Sequence, residues 1–142
     1  MSITFTVAGV PAPQGSKTRT RYGMREDNPN TRPWRSAVAW EATAAMQGSE
    51  PLTGPLVLEA TFYFPRPKAH YHVGKRAGQL RSDAPTWHTV KPDGDKLVRA
   101  IGDALTGIVC RDDSQFALGR WRKLYGPPSA VVTVRPAQNA EP

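Results

Sequence analysis

Residues 2–8 alternate, with Ile3, Phe5 and Val7 on one side and polar or small residues on the other. A period of two predicts a strand with one face against a core. Two prolines and a glycine between Val10 and Gly15 stop it. Residues 16–30 are polar and basic and predict a mobile loop that orders on its partner. A helix is expected next, capped by Asn30 or Thr31, with Pro33 tolerated in its first turn. Trp34, Val38, Ala42 and Ala45 then recur at helical spacing up to a terminating Gly48. Trp40 falls off that stripe, which predicts an exposed position. Residues 56–64 carry the cleanest alternation: Leu56, Leu58, Ala60, Phe62 and Phe64 against Val57, Glu59, Thr61 and Tyr63.

A long connection follows over residues 65–92, of the kind that is usually functional or disordered. It carries His70, His72 and His88, and a lone loop histidine is ordinarily incidental. Residues 93–106 predict a second helix, ended by Gly107. Its wheel gathers Leu97, Val98, Ile101, Ala104 and Leu105 on one face and Asp95, Arg99, Gly102 and Asp103 on the other. An extended link over 108–111 holds Cys110 as a small core residue. Residues 114–125 and 130–135 predict two strands of a hairpin around Gly126-Pro127-Pro128, and residues 136–142 a frayed tail. No repeat is visible. The pattern is one α+β domain over residues 1–142, with four strands and two main helices.

Composition narrows the classes. No apolar run approaches the ~20 residues that cross a bilayer, and the first residues lack the basic-then-apolar order of a secretory signal. One cysteine excludes a disulfide framework and a cysteine-based zinc site. A reducing cytoplasm is the expected setting. Lys and Arg number 19 against 12 acids, for a net charge of +7. Such a surplus points to a polyanion, nucleic acid first, with plain solubility charge as the alternative. The cations recur at Lys17-Thr18-Arg19-Thr20-Arg21, at Lys75-Arg76 with Arg81, and at Arg120-Trp121-Arg122-Lys123. No basic amphipathic helix is present, so a membrane partner is not expected.

The acids are more telling. Asp93, Asp95, Asp103, Asp112 and Asp113 fall within a 21-residue window. Neighbouring carboxylates repel, so they must take up protons or hold a cation. The helix dipole accounts for one acid in a first turn, but less well for Asp93-Gly94-Asp95 with a second pair beyond the helix. If the chain turns back after Gly107, three or four carboxylates converge, an oxygen-only set that suits Mg²⁺ or Mn²⁺. A cation so held can bind a phosphate oxygen, help water become hydroxide and stabilise the leaving 3′-oxygen. A solvated acidic helix face is the competing reading. Arg99 stands four residues from both Asp95 and Asp103. It is either a rung of a surface ion-pair ladder, worth ~0.3–0.5 kcal/mol per pair, or a fixed charge for a phosphate.

The series Lys91-Pro92-Asp93-Gly94-Asp95, Arg99-Ala100, Asp103-Ala104-Leu105 and Asp112-Asp113-Ser114-Gln115 resembles the RusA family of Holliday-junction resolvases, common in phages and prophages. The opening Phe5-Thr6-Val7 and Pro11-Ala12-Pro13-Gln14-Gly15-Ser16-Lys17 is similar to that family's phage branch. The resemblance implies a small α+β homodimer with a mixed four-stranded sheet. It implies Mg²⁺-dependent cleavage of branched DNA, chiefly four-way junctions, with Mn²⁺ able to substitute. Asp93, Asp95 and Asp113 match the family's metal-binding catalytic carboxylates, and Asp112 and Asp103 match acidic positions of less settled role. Arg99 falls where a functional lysine is usual, Lys96 where an asparagine is usual, and Gly94 where a bulkier apolar residue is usual. Arg cannot give up a proton, so Arg99 can stabilise charge but not shuttle protons. Expected DNA contacts are Lys17, Arg19, Arg21, Lys91, Lys96, Arg120, Arg122 and Lys123. Trp121 either packs on its strand or stacks at an opened junction centre. Two rivals stay open: a flap or single-strand nuclease, and a non-catalytic DNA-binding module with a structural acidic cluster.

Overall fold

A computed structural model describes residues 1–15, 17–26 and 28–139, the side chains of Lys17, Thr18, Arg25 and Glu26 excepted. Ser16, Asp27 and the last three residues of the expected tail lie outside that range, as does the Lys17 side chain. The strands are β1 (Ile3–Ala8), β2 (Lys17–Thr20), β3 (Gly23–Glu26), β4 (Leu56–Phe64), β5 (Phe116–Tyr125) and β6 (Ser129–Pro136), and the helices are α1 (Thr31–Met46) and α2 (Gly94–Leu105). Four strands form one mixed sheet in the order β1-β6-β4-β5. Among the described residues, no helix is long and apolar enough to cross a membrane.

Alternation places the core. Ile3, Phe5 and Val7 from β1, Leu58, Ala60, Phe62 and Phe64 from β4, and Ala130, Val132 and Val134 from β6 are buried on one sheet face. Both helices cover that face, with α1 against β1 and α2, and α2 against β5. Trp34, Val38, Ala42 and Met46 make the inward stripe of α1, and Leu97, Ala100, Ile101, Ala104 and Leu105 that of α2. Trp40, off the stripe, is exposed. The opposite sheet face carries polar pairs: the Thr4 and Thr133 hydroxyls share a 2.9 Å hydrogen bond, and Glu59 pairs with Arg120 and Arg135 at 3.8 and 3.5 Å.

Three expectations are corrected. Residues 17–26 are not an unstructured loop but the antiparallel hairpin β2–β3. The connection over 65–92 has structure of its own: two 3-10 turns and a local closure in which Tyr71 bridges Leu80. Most important, β5 and β6 do not pair as a hairpin. β4 lies between them, parallel to β5 and antiparallel to β6. Adjacent strands lie about 4.8 Å apart, so the turn must span about twice that. Extended residues reach ~3.3 Å each, and Gly126-Pro127-Pro128 supplies three of them. The turn passes over the end of β4, where Gly126 N–H donates to the Phe64 carbonyl at 2.9 Å.

Candidate active site

The chain enters α2 through a cis Lys91–Pro92 peptide. Asp93 is the N-cap, yet its side chain makes no capping hydrogen bond. Its carboxylate lies instead 3.8 Å from the Lys96 ammonium, both groups about half exposed. Asp95 is exposed in the first turn, and Arg99 one turn later is also exposed. Of the two roles open to Arg99, the ion-pair ladder is not seen: among the described residues no ion pair joins Arg99 to Asp95 or Asp103. Asp103 is half-buried.

After α2 the chain does turn back. Gly107 takes φ +86°, a conformation that costs glycine little, and Leu52 and Cys110 bridge behind it. A 3-10 turn over Asp113–Gln115 then leads into β5. Asp112 is its N-cap. Its carboxylate accepts from Ser114 N–H at 3.1 Å, and the Gln115 side-chain oxygen accepts from the Asp112 N–H at 3.2 Å. The Ser114 side chain first, then its backbone N–H, hold the Asp112 carboxyl below the usual carboxylate range. Gln115 is anchored in turn by donating to the Leu52 and Gly54 carbonyls, at 3.0 Å each. Asp112 thus builds the turn through one carboxylate oxygen. Asp113 takes no part in the cap. Its Cβ lies 3.7 Å from where a Cβ on Gly102 would stand.

Asp95 and Gly102 are seven residues apart, two turns on one helical face and about 10 Å along the axis. Asp95 and Asp113 therefore share a flank of α2, while Asp93 sits beyond the first turn beside Lys96. The convergence of three or four carboxylates is not met: no group of three or more His, Cys, Asp or Glu among the described residues is placed to hold a metal ion. The set has the chemistry of a hard-cation site, carboxylates only, but these side-chain positions do not enclose one.

The basic run on β5 is split by the pleat. Trp121 pairs with Ala60 and Lys123 with Phe62, so both share the helix side of the sheet, whereas Arg120 and Arg122 pair with Glu59 and Thr61. Arg120 and Arg122 therefore face away from α2, and Arg120 is committed to Glu59. Lys123 has a partner within the protein. Its ammonium donates to the Val90 carbonyl at 2.7 Å, and burial lowers its pKa against the opposing charge of Asp93. Arg19 and Lys91 remain exposed, and Arg21 carries its guanidinium 5.3 Å over the ring of Tyr22 at the exposed tip of the β2–β3 hairpin. Trp121, half exposed, lies over Gly94: a Cβ there would collide with the indole. The indole thus fills the space that a larger residue at 94 would take.

A cleft of about 1250 Å³ opens on the other side of this helix start, reached by Asp93, Lys91 and Lys96. One wall is the Pro11–Gly15 segment. Gln14 fixes it by donating its N–H to the Lys96 carbonyl at 2.9 Å and by accepting from Arg35 at 3.0 Å, while the buried Thr31 hydroxyl donates to the Pro13 carbonyl at 2.8 Å. The opening proline-rich motif is thus a brace between α1 and α2.

His88, taken from sequence as incidental, is buried in this cleft. It stacks on Phe64 at 4.1 Å and tilts against Tyr125 at 5.2 Å. Burial first, then the charge of Lys123, hold its pKa below the ordinary 6.5. A base whose folded pKa is lowered binds more protons when unfolded. Its contribution to stability is therefore fully present above pH 6.5 and is lost as pH falls below it. The denaturant midpoint should drop between about pH 7 and 5, and His88→Phe should flatten that drop; an equal drop in both proteins would reject the assignment.

A family model described as Endodeoxyribonuclease RusA matches residues 8–135. A Bacillus subtilis (strain 168) protein, described as uncharacterized protein YqaN, is 30% identical over 144 residues, 94% of this chain and 95% of that one. The family match takes in the whole arrangement above, from the proline brace through Asp113 to β6.

Proposed function

This chain belongs to the RusA endodeoxyribonuclease family, and on that premise we propose that it resolves four-way DNA junctions by paired nicks, as a homodimer, with Mg²⁺ or Mn²⁺ as cofactor. The observation that carries the reading is the flank of α2 where Asp95, Arg99 and Asp113 are all exposed and, among the described residues, none is spent on an ion pair. Carboxylates left unpaired on a protein of net charge +7 serve chemistry better than stability. Asp113, Asp95 and Asp93 are the proposed cation-binding and catalytic acids. Arg99 is the proposed phosphate clamp, its planar guanidinium offering paired N–H donors to phosphate oxygens. Arg19, Arg21 and Lys91 contact backbone phosphates, with Lys17 a further candidate. A two-fold dimer suits the substrate, since a four-way junction offers two equivalent strands to two equivalent sites.

That no three carboxylates among the described residues are placed to hold one ion favours one rival, a DNA-binding module that does not cut. Equal amounts of labelled four-way junction, flap and linear duplex, offered together with Mg²⁺, separate the readings. The junction should be cut first; intact DNA of all three kinds would leave only the binder, and preferential flap cutting would move the substrate class.

Two further results are expected. Arg99→Lys should keep most of the cutting rate while Arg99→Ala loses tenfold or more, about 1.4 kcal/mol of transition-state stabilisation; equal rates would remove the clamp. Junction affinity should fall with salt at a log–log slope of about −0.9 per phosphate neutralised, which a titration by gel shift reads directly, and a flat response would reject the backbone contacts.

A further inference from the structure

The β2–β3 hairpin is an arm without a core. Its strands pair with each other, and among the described residues neither packs substantially on another element. Its root, by contrast, is fixed. The Thr31 hydroxyl donates to the Pro13 carbonyl, Arg35 donates to the Gln14 side chain, and Gln14 N–H donates to the Lys96 carbonyl. Gly15, where the chain enters the arm, and Asn28, where it leaves, line the same cleft as Asp93 and Lys96. The arm therefore springs from beside the acidic start of α2. β2 has four residues, and at ~3.3 Å each they carry the turn about 13 Å outward. That turn is Arg21-Tyr22. The Thr20 hydroxyl fixes it by donating to the Gly23 carbonyl at 2.8 Å and accepting from Tyr22 N–H at 3.2 Å. Tyr22 is 89% exposed, more than any other large apolar or aromatic side chain among the described residues. One exposed apolar side chain is ordinary. Here it stands at the tip of a segment, residues 17–26, with four cations against one acid. The Arg21 guanidinium lies over the ring, and the ring's other face is open.

We propose that Tyr22 stacks on a base face left open at the branch point of a DNA junction, so that the arm selects branched over linear DNA. The inference rests on the junction-cutting reading above and deepens it, by naming a residue for the substrate selectivity. Charge and ring chemistry identify the occupant. A basic arm repels a second copy of itself and attracts a polyanion. An aromatic ring among cations suits unstacked nucleic acid, because every base offers a π-face. In a linear duplex each base is covered above and below, and a side chain enters only by unstacking a step. At an open branch point the innermost pairs border the central gap, so one face of each is available without that cost. Arg19, exposed on β2, and Arg21 then meet the flanking phosphates. The fixed turn presents the ring before binding, which limits the ordering cost. Tyr22 is thus a specificity-determining residue set apart from the acids that cut.

The test reads binding rather than cutting, with chelator present. Wild type, Tyr22→Ala and Tyr22→Phe are titrated onto an immobile four-way junction and onto a linear duplex with the sequence of one arm. Tyr22→Ala should bind the junction about tenfold more weakly, within the range seen for one base stacked on an aromatic side chain, and the duplex less than about twofold more weakly. Tyr22→Phe should bind both as wild type does, since the ring face and not the hydroxyl makes the contact. 2-Aminopurine in the innermost base pairs gives a second readout: its emission should change when wild type binds and change less with Tyr22→Ala. Thermal unfolding should be unaltered in both variants, because the ring is exposed. No loss on the junction, an equal loss on both DNAs, or a loss with Tyr22→Phe as large as with Tyr22→Ala would overturn the proposal. So would a fall in the molar mass of free Tyr22→Ala, which would assign the tip to a second copy of the chain. If Tyr22 selects junctions but Mg²⁺ gives no nicks, the cutting reading fails and the arm stands; if Mg²⁺ gives nicks and Tyr22→Ala binds as wild type, the arm fails alone.

Discussion

Asp113→Asn should bind a four-way junction as tightly as wild type, or more tightly, while cutting it about 10⁴-fold more slowly, the scale on which catalytic groups that act as a unit are lost. The substitution is close to isosteric. The 3-10 turn is held by Asp112 and Gln115, not by Asp113, so the fold should be untouched. What changes is the charge of one carboxylate beside Gly102 on the Asp95 flank. Removing a negative charge near phosphate also lowers repulsion, which is why affinity should hold or rise. Asp93→Asn should behave alike. Asp112→Ala supplies the contrast: it deletes the cap and should cost about 1 kcal/mol of stability with far less effect on rate. Single-turnover cutting and gel shift on the same junction, with thermal unfolding for each variant, read all three quantities. Asp113→Asn within tenfold of the wild-type rate would remove it from the chemistry.

The second large effect concerns Gly94 and Trp121. Gly94→Leu should destabilise the wild-type protein, because the new side chain enters space that the indole occupies, and overpacking costs about 1–3 kcal/mol. Leucine is also the better helix former, by up to about 1 kcal/mol. In a Trp121→Ala background the clash is gone and only the helical gain remains, so Gly94→Leu should there stabilise. The same substitution thus changes sign with its neighbour. A double-mutant cycle by denaturant unfolding reports that coupling, and a null value would mean that Trp121 does not rest on Gly94.

How much of this was legible in the chain follows from what each feature depends on. β4 is readable to the residue because its buried apolar side chains alternate from Leu58 to Phe64, and α2 because its buried stripe is continuous. The β2–β3 hairpin is not, since Met24 is the one large apolar residue in its two strands and no hydrophobic period marks them. The order of β5 and β6 was hidden for another reason: a short turn between two strands reads as a hairpin unless β4, some fifty residues earlier, is known to lie between. The run Arg120-Trp121-Arg122-Lys123 reads as one patch until the pleat divides it. His88 owes its burial to Phe64 and Tyr125, partners from two other segments, so nothing local signals it. The acidic residues were identifiable as a group and their motif carried the family, but their spacing around a turn could not show that Asp112 caps while Asp113 is left free of the cap.

The most direct measurement follows single strands of one junction. Purified protein is incubated with a synthetic four-way junction labelled on each strand in turn, with Mg²⁺ and with chelator, and the cuts are mapped. The account predicts two nicks at symmetric positions in strands of like polarity with Mg²⁺, and none with chelator. A junction that stays whole in Mg²⁺ while shifted into a protein complex would contradict it.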